Sequence, residues 1–243
     1  MANTRNIALN VLLKIENEGA YSNIALNNAI KENRLSGVDS SFVSALVYGV
    51  LERRITLDYI IRSYSKIPLR KIETKTKNIL RLGILQLLFM DKVPDSAAVN
   101  ESVNLAKKHK LQKSSGFING ILRNITRAEV KYTLPDEKDR VRYLSVKYSV
   151  PESIVKLWVN SYGENNAEQL LASLNGRAKI CCRVNTLRTD ADTLIKKLSD
   201  EGVVAEKIPF IDNALYLENT GSVERLRAYK SGLFHIQDAS SQL

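Results

Sequence analysis

Apolar residues in the first 130 positions recur at intervals of three and four, which is the spacing of amphipathic helices. Four such stripes precede a nearly continuous apolar run, Ile72 to Met90, and two follow it. A segment that is apolar on most sides is typical of the central helix of a bundle. No stretch before residue 130 alternates as a strand does, so the sequence predicts an all-α helical bundle over residues 1–130.

Local signals within this region predict where two of the helices begin. The polar tripeptide Asp39-Ser40-Ser41 precedes the apolar stripe that starts at Phe42, and such side chains commonly cap helix N-termini. A break near Ile55-Thr56 is expected to separate this helix from the next one. These two positions therefore mark the third and fourth helices of the predicted bundle.

The pattern changes after a charge-rich stretch around Pro135. We interpret residues 131–150 as a linker with room for one helix, and residues 151–243 as a second module. In that module, helical spacing is followed by an alternating segment at 180–185. Further strand candidates lie at 203–208, 214–217 and 233–237. This order predicts a small α+β domain of the type seen in RNA-recognition folds.

The net charge of +10 is concentrated in the predicted bundle. Residues 1–130 carry 20 Lys and Arg against 11 Asp and Glu, whereas residues 131–243 carry 16 against 15. A basic half beside a neutral half indicates that one module binds a polyanion, although a solubilising surface remains an alternative. The longest apolar stretch, Ile79 to Met90, is too short to span a membrane, which takes about 20 residues. We expect a cytoplasmic protein with no membrane partner.

Several motifs in the chain resemble one known family. In the helical half these are Tyr48–Leu51, Val93–Val103 and Gly116–Arg123. They are similar to the NusB-like domain of the RsmB (Sun) family, bacterial enzymes that methylate carbon 5 of cytosine in 16S ribosomal RNA. The motifs Arg183–Thr186, Gly232–Phe234 and Gln237–Gln242 resemble the segment that this family places ahead of its methyltransferase domain.

The resemblance implies an S-adenosylmethionine-dependent parent enzyme that attacks the pyrimidine with a cysteine. The family's Pro-Cys pair and a glycine-rich cofactor loop are both missing from this sequence. We therefore expect no catalytic residue and no cofactor-binding residue in this chain, and no activity of the chain alone. Gln237 and Asp238 are candidates for a junction near the active site of the intact enzyme. The alternative is that they cap a turn.

The two cysteines, Cys181 and Cys182, are neighbours on a predicted strand, so at most one faces any site. We interpret both as buried apolar fillers rather than nucleophiles. Neither His109 nor His235 has a zinc-like spacing to them, and no metal site is predicted.

Basic side chains near the end of the bundle are the candidate RNA contacts. A cluster of lysines spans the junction of two helices, and an amide with two arginines follows at spacings of four. Cations and amides together suit phosphate, sugar and base edges. The predicted RNA-binding residues are Arg53, Arg54, Arg70, Lys71, Lys107, Lys108, Lys110, Lys113, Asn119, Arg123 and Arg127.

The expected partner is 16S ribosomal RNA, and no obligate protein partner is evident. The bundle also resembles NusB itself, so a stand-alone RNA-binding adaptor in transcription antitermination is the second hypothesis. The Gln237–Gln242 motif favours the methyltransferase, because an adaptor has no need of it.

Overall fold

The structure, a computed structural model, describes residues 4–174 and 179–243. Its contacts divide the chain into two compact units, residues 1–175 and residues 176–243. The first unit is helical and the second contains all the described strands.

The helical unit is built around one buried helix. Its helices are α1 (Thr4–Glu18), α2 (Ser22–Glu32), α3 (Gly37–Glu52), α4 (Arg54–Tyr64), α5 (Thr74–Phe89), α6 (Asp95–Lys108), α7 (Gln112–Arg127), α8 (Arg140–Tyr148), α9 (Glu152–Tyr162) and α10 (Glu164–Ser173). Helix α5 is buried continuously from Asn78 to Gln86 and packs against α1, α3, α4, α6 and α7. The predicted bundle with a central apolar helix is thus confirmed.

Two predicted helix boundaries were wrong by a few residues. Helix α3 begins at Gly37, with Ser36 at its N-cap position, rather than after Asp39-Ser40-Ser41. The hydroxyls of Ser40 and Ser41 donate back to the carbonyl of Gly37, as serines inside a helix do, so they do not cap it. The break between α3 and α4 lies at Arg53, slightly before the predicted position.

Helix α8 lies inside the predicted linker and packs on the bundle. The hydroxyl of Thr56 in α4 donates to the carbonyl of Val146 at 2.5 Å, and the amide of Ile55 donates to Ser149 Oγ at 3.0 Å. Helices α9 and α10 extend this packing through a small apolar cluster that includes Leu144 and Leu171. The compact helical unit therefore runs past residue 150, and the boundaries inferred from the sequence stay a prediction.

The second unit is a four-stranded antiparallel sheet covered by helices. Its elements are β1 (Ile180–Val184), α11 (Ala191–Ser199), β2 (Val204–Lys207), β3 (Ala214–Glu218), α12 (Arg227–Lys230) and β4 (Phe234–Ile236). The strand order is β2-β3-β1-β4. Cys182 and Leu215 are paired across strands and pack with Leu194 of α11. The predicted small α+β domain is confirmed.

Candidate nucleic-acid interface

A shallow groove runs between α6 and α7. The two helices are joined by three residues, and Lys110 in this connection adopts a positive φ of 59°. Its turn is closed by a hydrogen bond from the amide of Leu111 to the carbonyl of Ala106 at 2.9 Å. The groove of about 530 Å³ is lined by Asn100, Val103, Asn104 and Lys107 of α6 and by Ser115, Gly116, Asn119 and Arg123 of α7.

The sequence periodicity of both helices places polar side chains in this groove. On α6, Asn100, Asn104 and Lys107 follow the i, i+4, i+7 spacing of one helix face, while Leu105 and Ala106 are buried. The apolar side of α7 is buried at Ile118, Ile121, Leu122 and Ile125. Each helix thus packs through its apolar stripe and leaves a polar stripe beside the groove.

Arg123 is oriented by a neighbour on the same helix. Its Nε donates to Oδ1 of Asn119 at 2.9 Å, across one helical turn. No described residue accepts a hydrogen bond from its two terminal nitrogens, and a planar fork of this kind suits phosphate or a base edge. A second depression of about 310 Å³ continues from Arg123 to Arg127 and Asp95. Arg123 therefore lies between two adjoining depressions.

The cations of this surface lack acidic partners. Within residues 4–174 and 179–243, none of Lys107, Arg123 and Arg127 has a carboxylate within 4.0 Å. Arg53 differs, because it pairs with Glu52 at 3.2 Å and stacks over the ring of Phe89 at 5.4 Å. The groove and its continuation therefore present three positive charges that no described carboxylate neutralises.

The predicted RNA-binding residues divide into two sets. Lys107, Asn119, Arg123 and Arg127 line the groove or the adjoining depression. The remaining residues lie outside both, and most of them are exposed. They are Arg53 and Arg54 at the α3–α4 junction, Arg70 and Lys71 in a 3-10 turn, and Lys108, Lys110 and Lys113 around the α6–α7 connection.

The sequence analysis missed five lining residues: Asn100, Val103, Asn104, Ser115 and Gly116. The spacing of Asn100, Asn104 and Lys107 was a usable signal, since all three fall on one face of a predicted helix. No such signal predicted Gly116. Its place in the lining is apparent only in the structure, where nothing lies within 4 Å of the position that its Cβ would occupy.

Gln237 and Asp238 form hydrogen bonds within their own turn. The Asp238 carboxylate accepts from the amide and the hydroxyl of Ser240 at 2.9 and 2.6 Å. The hydrogen bond from the Ser240 hydroxyl has the largest effect on the pKa of Asp238, and the bond from the Ser240 amide adds to it. Both lower this pKa. Gln237 donates to the carbonyl of Ser241 at 3.0 Å. The geometry agrees with the capping alternative, while the junction role stays a prediction.

Both cysteines are buried and free, as predicted for apolar fillers. They lie on opposite faces of the sheet, Cys182 in the main core and Cys181 against Ile208. Burial raises the pKa of Cys182 to about 12, and burial followed by the charge of Asp238 raises that of Cys181. Both thiols are therefore protonated at neutral pH and are poor nucleophiles.

His109 has a structural partner. Its Nε2 lies 2.7 Å from Oδ1 of Asn6 in α1. Burial, followed by the charges of Lys75 and Lys108, lowers the pKa of His109.

In the described parts of the chain, no group of three or more His, Cys, Asp or Glu side chains is arranged to hold a metal ion. No described helix is long and apolar enough to cross a membrane.

The two units define a helical bundle linked to a ferredoxin-like domain. Residues 2–127 match the NusB family, and residues 150–224 match the ferredoxin-like domain of RsmF/B-like methyltransferases. The chain therefore belongs to the NusB family, here combined with a domain of the RsmF/B type. The resemblance inferred from the motifs is confirmed.

Curated relatives align with nearly the whole chain. The chain is 35% identical to the probable ribosomal RNA small subunit methyltransferase B of Bacillus subtilis, over 98% of its own length and 53% of that protein. It is 31% identical to the protein of the same name from Synechocystis, over all of its own length and 54% of that protein. The chain thus spans about half the length of these curated relatives.

A solved structure shows the same fold. The crystal structure of PH0851 superposes on 99% of this chain and 54% of that protein, with a TM-score of 0.70 and 17% sequence identity. The arrangement of helices and strands is therefore shared even where the sequences have diverged.

Proposed function

We propose that this chain is the RNA-binding part of an S-adenosylmethionine-dependent enzyme that methylates carbon 5 of cytosine in 16S ribosomal RNA in the cytoplasm. The names of the relatives and the RsmF/B-type domain support the reaction class. The observation that carries the RNA-binding role is the α6–α7 groove with its adjoining depression, where Lys107, Arg123 and Arg127 have no carboxylate of the described residues within 4.0 Å.

The groove would serve to position the substrate. Lys107 lies near one end of the groove and Arg123 near the other, so both can contact phosphates of one strand that lies along it. Binding energy from such remote contacts reduces the entropy that is lost when a reacting base is placed in an active site. The chain's contribution to methylation would therefore be affinity and placement.

The described residues do not fit a site for S-adenosylmethionine. The sheet is entirely antiparallel, and the glycines with positive φ occur singly in separate turns. Such turns do not bring successive backbone amides together as a glycine-rich loop does. We assign neither the cofactor nor the cysteine nucleophile to these residues. In the relatives, we infer that both belong to the half that this chain does not cover.

The antitermination adaptor is the second candidate function, because residues 2–127 match the NusB family. The match of residues 150–224 to a methyltransferase-associated domain favours the enzyme.

Salt-dependent RNA binding tests the proposal. Each phosphate contact contributes roughly 0.7–0.9 to the slope of log K against log salt concentration. Changing Lys107, Arg123 and Arg127 together to Gln is expected to reduce this slope by about 2 for a 16S ribosomal RNA transcript, measured by filter binding.

The matched control changes three exposed lysines of the second unit, Lys196, Lys197 and Lys230, to Gln. This variant loses the same charge and is expected to keep the wild-type slope within about 0.5. An equal fall in both variants would support a merely solubilising surface. Equal affinity of the wild type for the 16S transcript and for an unrelated hairpin would also support a merely solubilising surface.

A further inference from the structure

We infer that Asn100 and Asn104, together with Asn119, read the base edges of unpaired RNA nucleotides in the α6–α7 groove. This inference rests on the proposed RNA-binding function and names the form of RNA that the groove selects. The two asparagines of α6 project from the side of the groove opposite Asn119 and Arg123.

The amides of the groove are available for a ligand. Within the described residues, the exposed side chain of Asn100 forms no hydrogen bond, and Asn104 forms one long exposed bond to Glu101 at 3.4 Å. Asn119 uses its carbonyl oxygen to orient Arg123, so its amino group is a free donor. An amide both donates and accepts, which matches the mixed donors and acceptors on the edge of a base.

The amides of the groove suit a single strand better than a duplex. Gly116 also lines the groove, and nothing lies within 4 Å of the position that a Cβ on it would occupy. An RNA double helix shows its base edges only in a wide, shallow minor groove and is recognised mostly by shape, whereas the bases of a single strand can turn outward and be hydrogen-bonded on their edges. Three amides that line a concave surface therefore suit unpaired bases better than a duplex.

The bases would be recognised at their edges rather than by stacking. No aromatic ring is among the described residues that line the groove, whereas nonspecific single-strand sites usually stack bases on such rings. Lys107 and Arg123 supply the phosphate contacts at the two ends. The site thus combines amides between two cations, an arrangement that separates base recognition from backbone binding.

The test compares one RNA sequence in two forms, a mixed-sequence 12-nucleotide single strand and its blunt duplex, by fluorescence anisotropy with the full 243-residue chain. The wild type is expected to bind the single strand about tenfold more tightly. Changing Asn100 and Asn104 to Ala is expected to remove most of this preference, because each lost hydrogen bond weakens binding several-fold. The salt slope should not change, since neither side chain is charged.

The control changes Asn160 of α9 and Asn165 of α10 to Ala, both exposed on helices away from the groove. Thermal midpoints establish that both variants are folded. Equal wild-type affinity for strand and duplex, or an equal loss on both RNAs after the Asn100 and Asn104 changes, would overturn the inference. Both proposals stand if two results are obtained together. Only the variant with Asn100 and Asn104 changed to Ala loses the preference for the single strand, and the variant with Lys107, Arg123 and Arg127 changed to Gln has a lower salt slope. If only the salt slope of the cation variant changes, the inference on base edges fails but the proposed RNA binding survives. If the wild type binds neither the strand nor the duplex, both proposals fail.

Discussion

Arg81 shows how one charged residue organises the bundle. It is 4% exposed, and its guanidinium donates to both carboxylate oxygens of Asp58, with Nε–Oδ1 and Nη2–Oδ2 distances of 2.7 and 2.8 Å. Its Nη1 donates to Glu16 Oε2 at 2.9 Å. The side chain therefore links α5 to α4 and α1. A charge at this depth is tolerated because each of its three nitrogens donates to an oxygen atom.

Replacing Arg81 by Met is expected to lower the free energy of unfolding by about 3 kcal/mol, because two partly buried carboxylates lose their partner. Urea denaturation measures this loss. The control Lys207→Met breaks the exposed ion pair with Asp192, at 2.8 Å, and should cost less than about 1 kcal/mol. Similar losses in the two variants would contradict the role assigned to Arg81.

Glu16 gives the network a pH dependence. Burial alone would raise its pKa, but the hydrogen bond from Asn78 and the charges of Arg81 and Lys77 outweigh burial and lower it from 4.5. A carboxylate with a lowered folded-state pKa stabilises the protein above its unfolded-state pKa, and this stability is lost as the pH falls through the folded-state value. The stability difference between wild type and Glu16→Gln, followed by urea denaturation, is therefore expected to shrink below about pH 4.5. A constant difference from neutral pH to about pH 3 would contradict this account.

At the scale of elements, the position of the groove depends on how closely α5, α6 and α7 approach each other. A Cβ on Gly83 would lie 2.8 Å from Leu122 Cδ1 and 2.9 Å from Ser102 Oγ. Leu122 is fully buried, and Ser102 Oγ is held by a hydrogen bond to the carbonyl of Ala98 at 2.7 Å. Only glycine allows α6 and α7 to pack against α5 at this distance.

Gly83→Ala is expected to destabilise the bundle by about 1–3 kcal/mol through overpacking, although alanine has the higher helix propensity. The matched control is Gly120→Ala, in α7, where nothing lies within 4 Å of the new methyl group. That change should be neutral or stabilising by up to about 1 kcal/mol. Thermal unfolding distinguishes the two, and a stabilised Gly83→Ala variant would contradict the close packing.

At the scale of the whole molecule, the extent of the helical unit is open to a direct test. A fragment of residues 1–130 keeps the seven helices predicted from the sequence, whereas residues 1–174 also include α8, α9 and α10. The shorter fragment leaves the Thr56 hydroxyl without its acceptor, the carbonyl of Val146, and exposes the side of α4 that packs on α8. We expect it to be less stable by about 2 kcal/mol in urea denaturation, the scale of unpaired buried polar groups. Equal stability of the two fragments would support the boundary at residue 130.

Helical spacing, strand alternation and charge distribution are local properties of the chain, so the bundle, the α+β domain and the basic half were all predictable from residue order. The motifs at 116–123 and 237–242 similarly indicated the family before any contact was known. Local patterns also placed Lys107, Asn119 and Arg123 on the solvent side of their helices.

The groove is different, because it exists only where two helices meet. Asn100 and Asn119 are nineteen positions apart, and no local pattern specifies that they line the same groove. The same holds for α8, whose place on α4 rests on hydrogen bonds between residues about ninety positions apart, such as Thr56 and Val146. Contacts between distant segments depend on the balance of packing, close approach and hydrogen bonding over the whole unit, and that balance is settled only when the chain is folded.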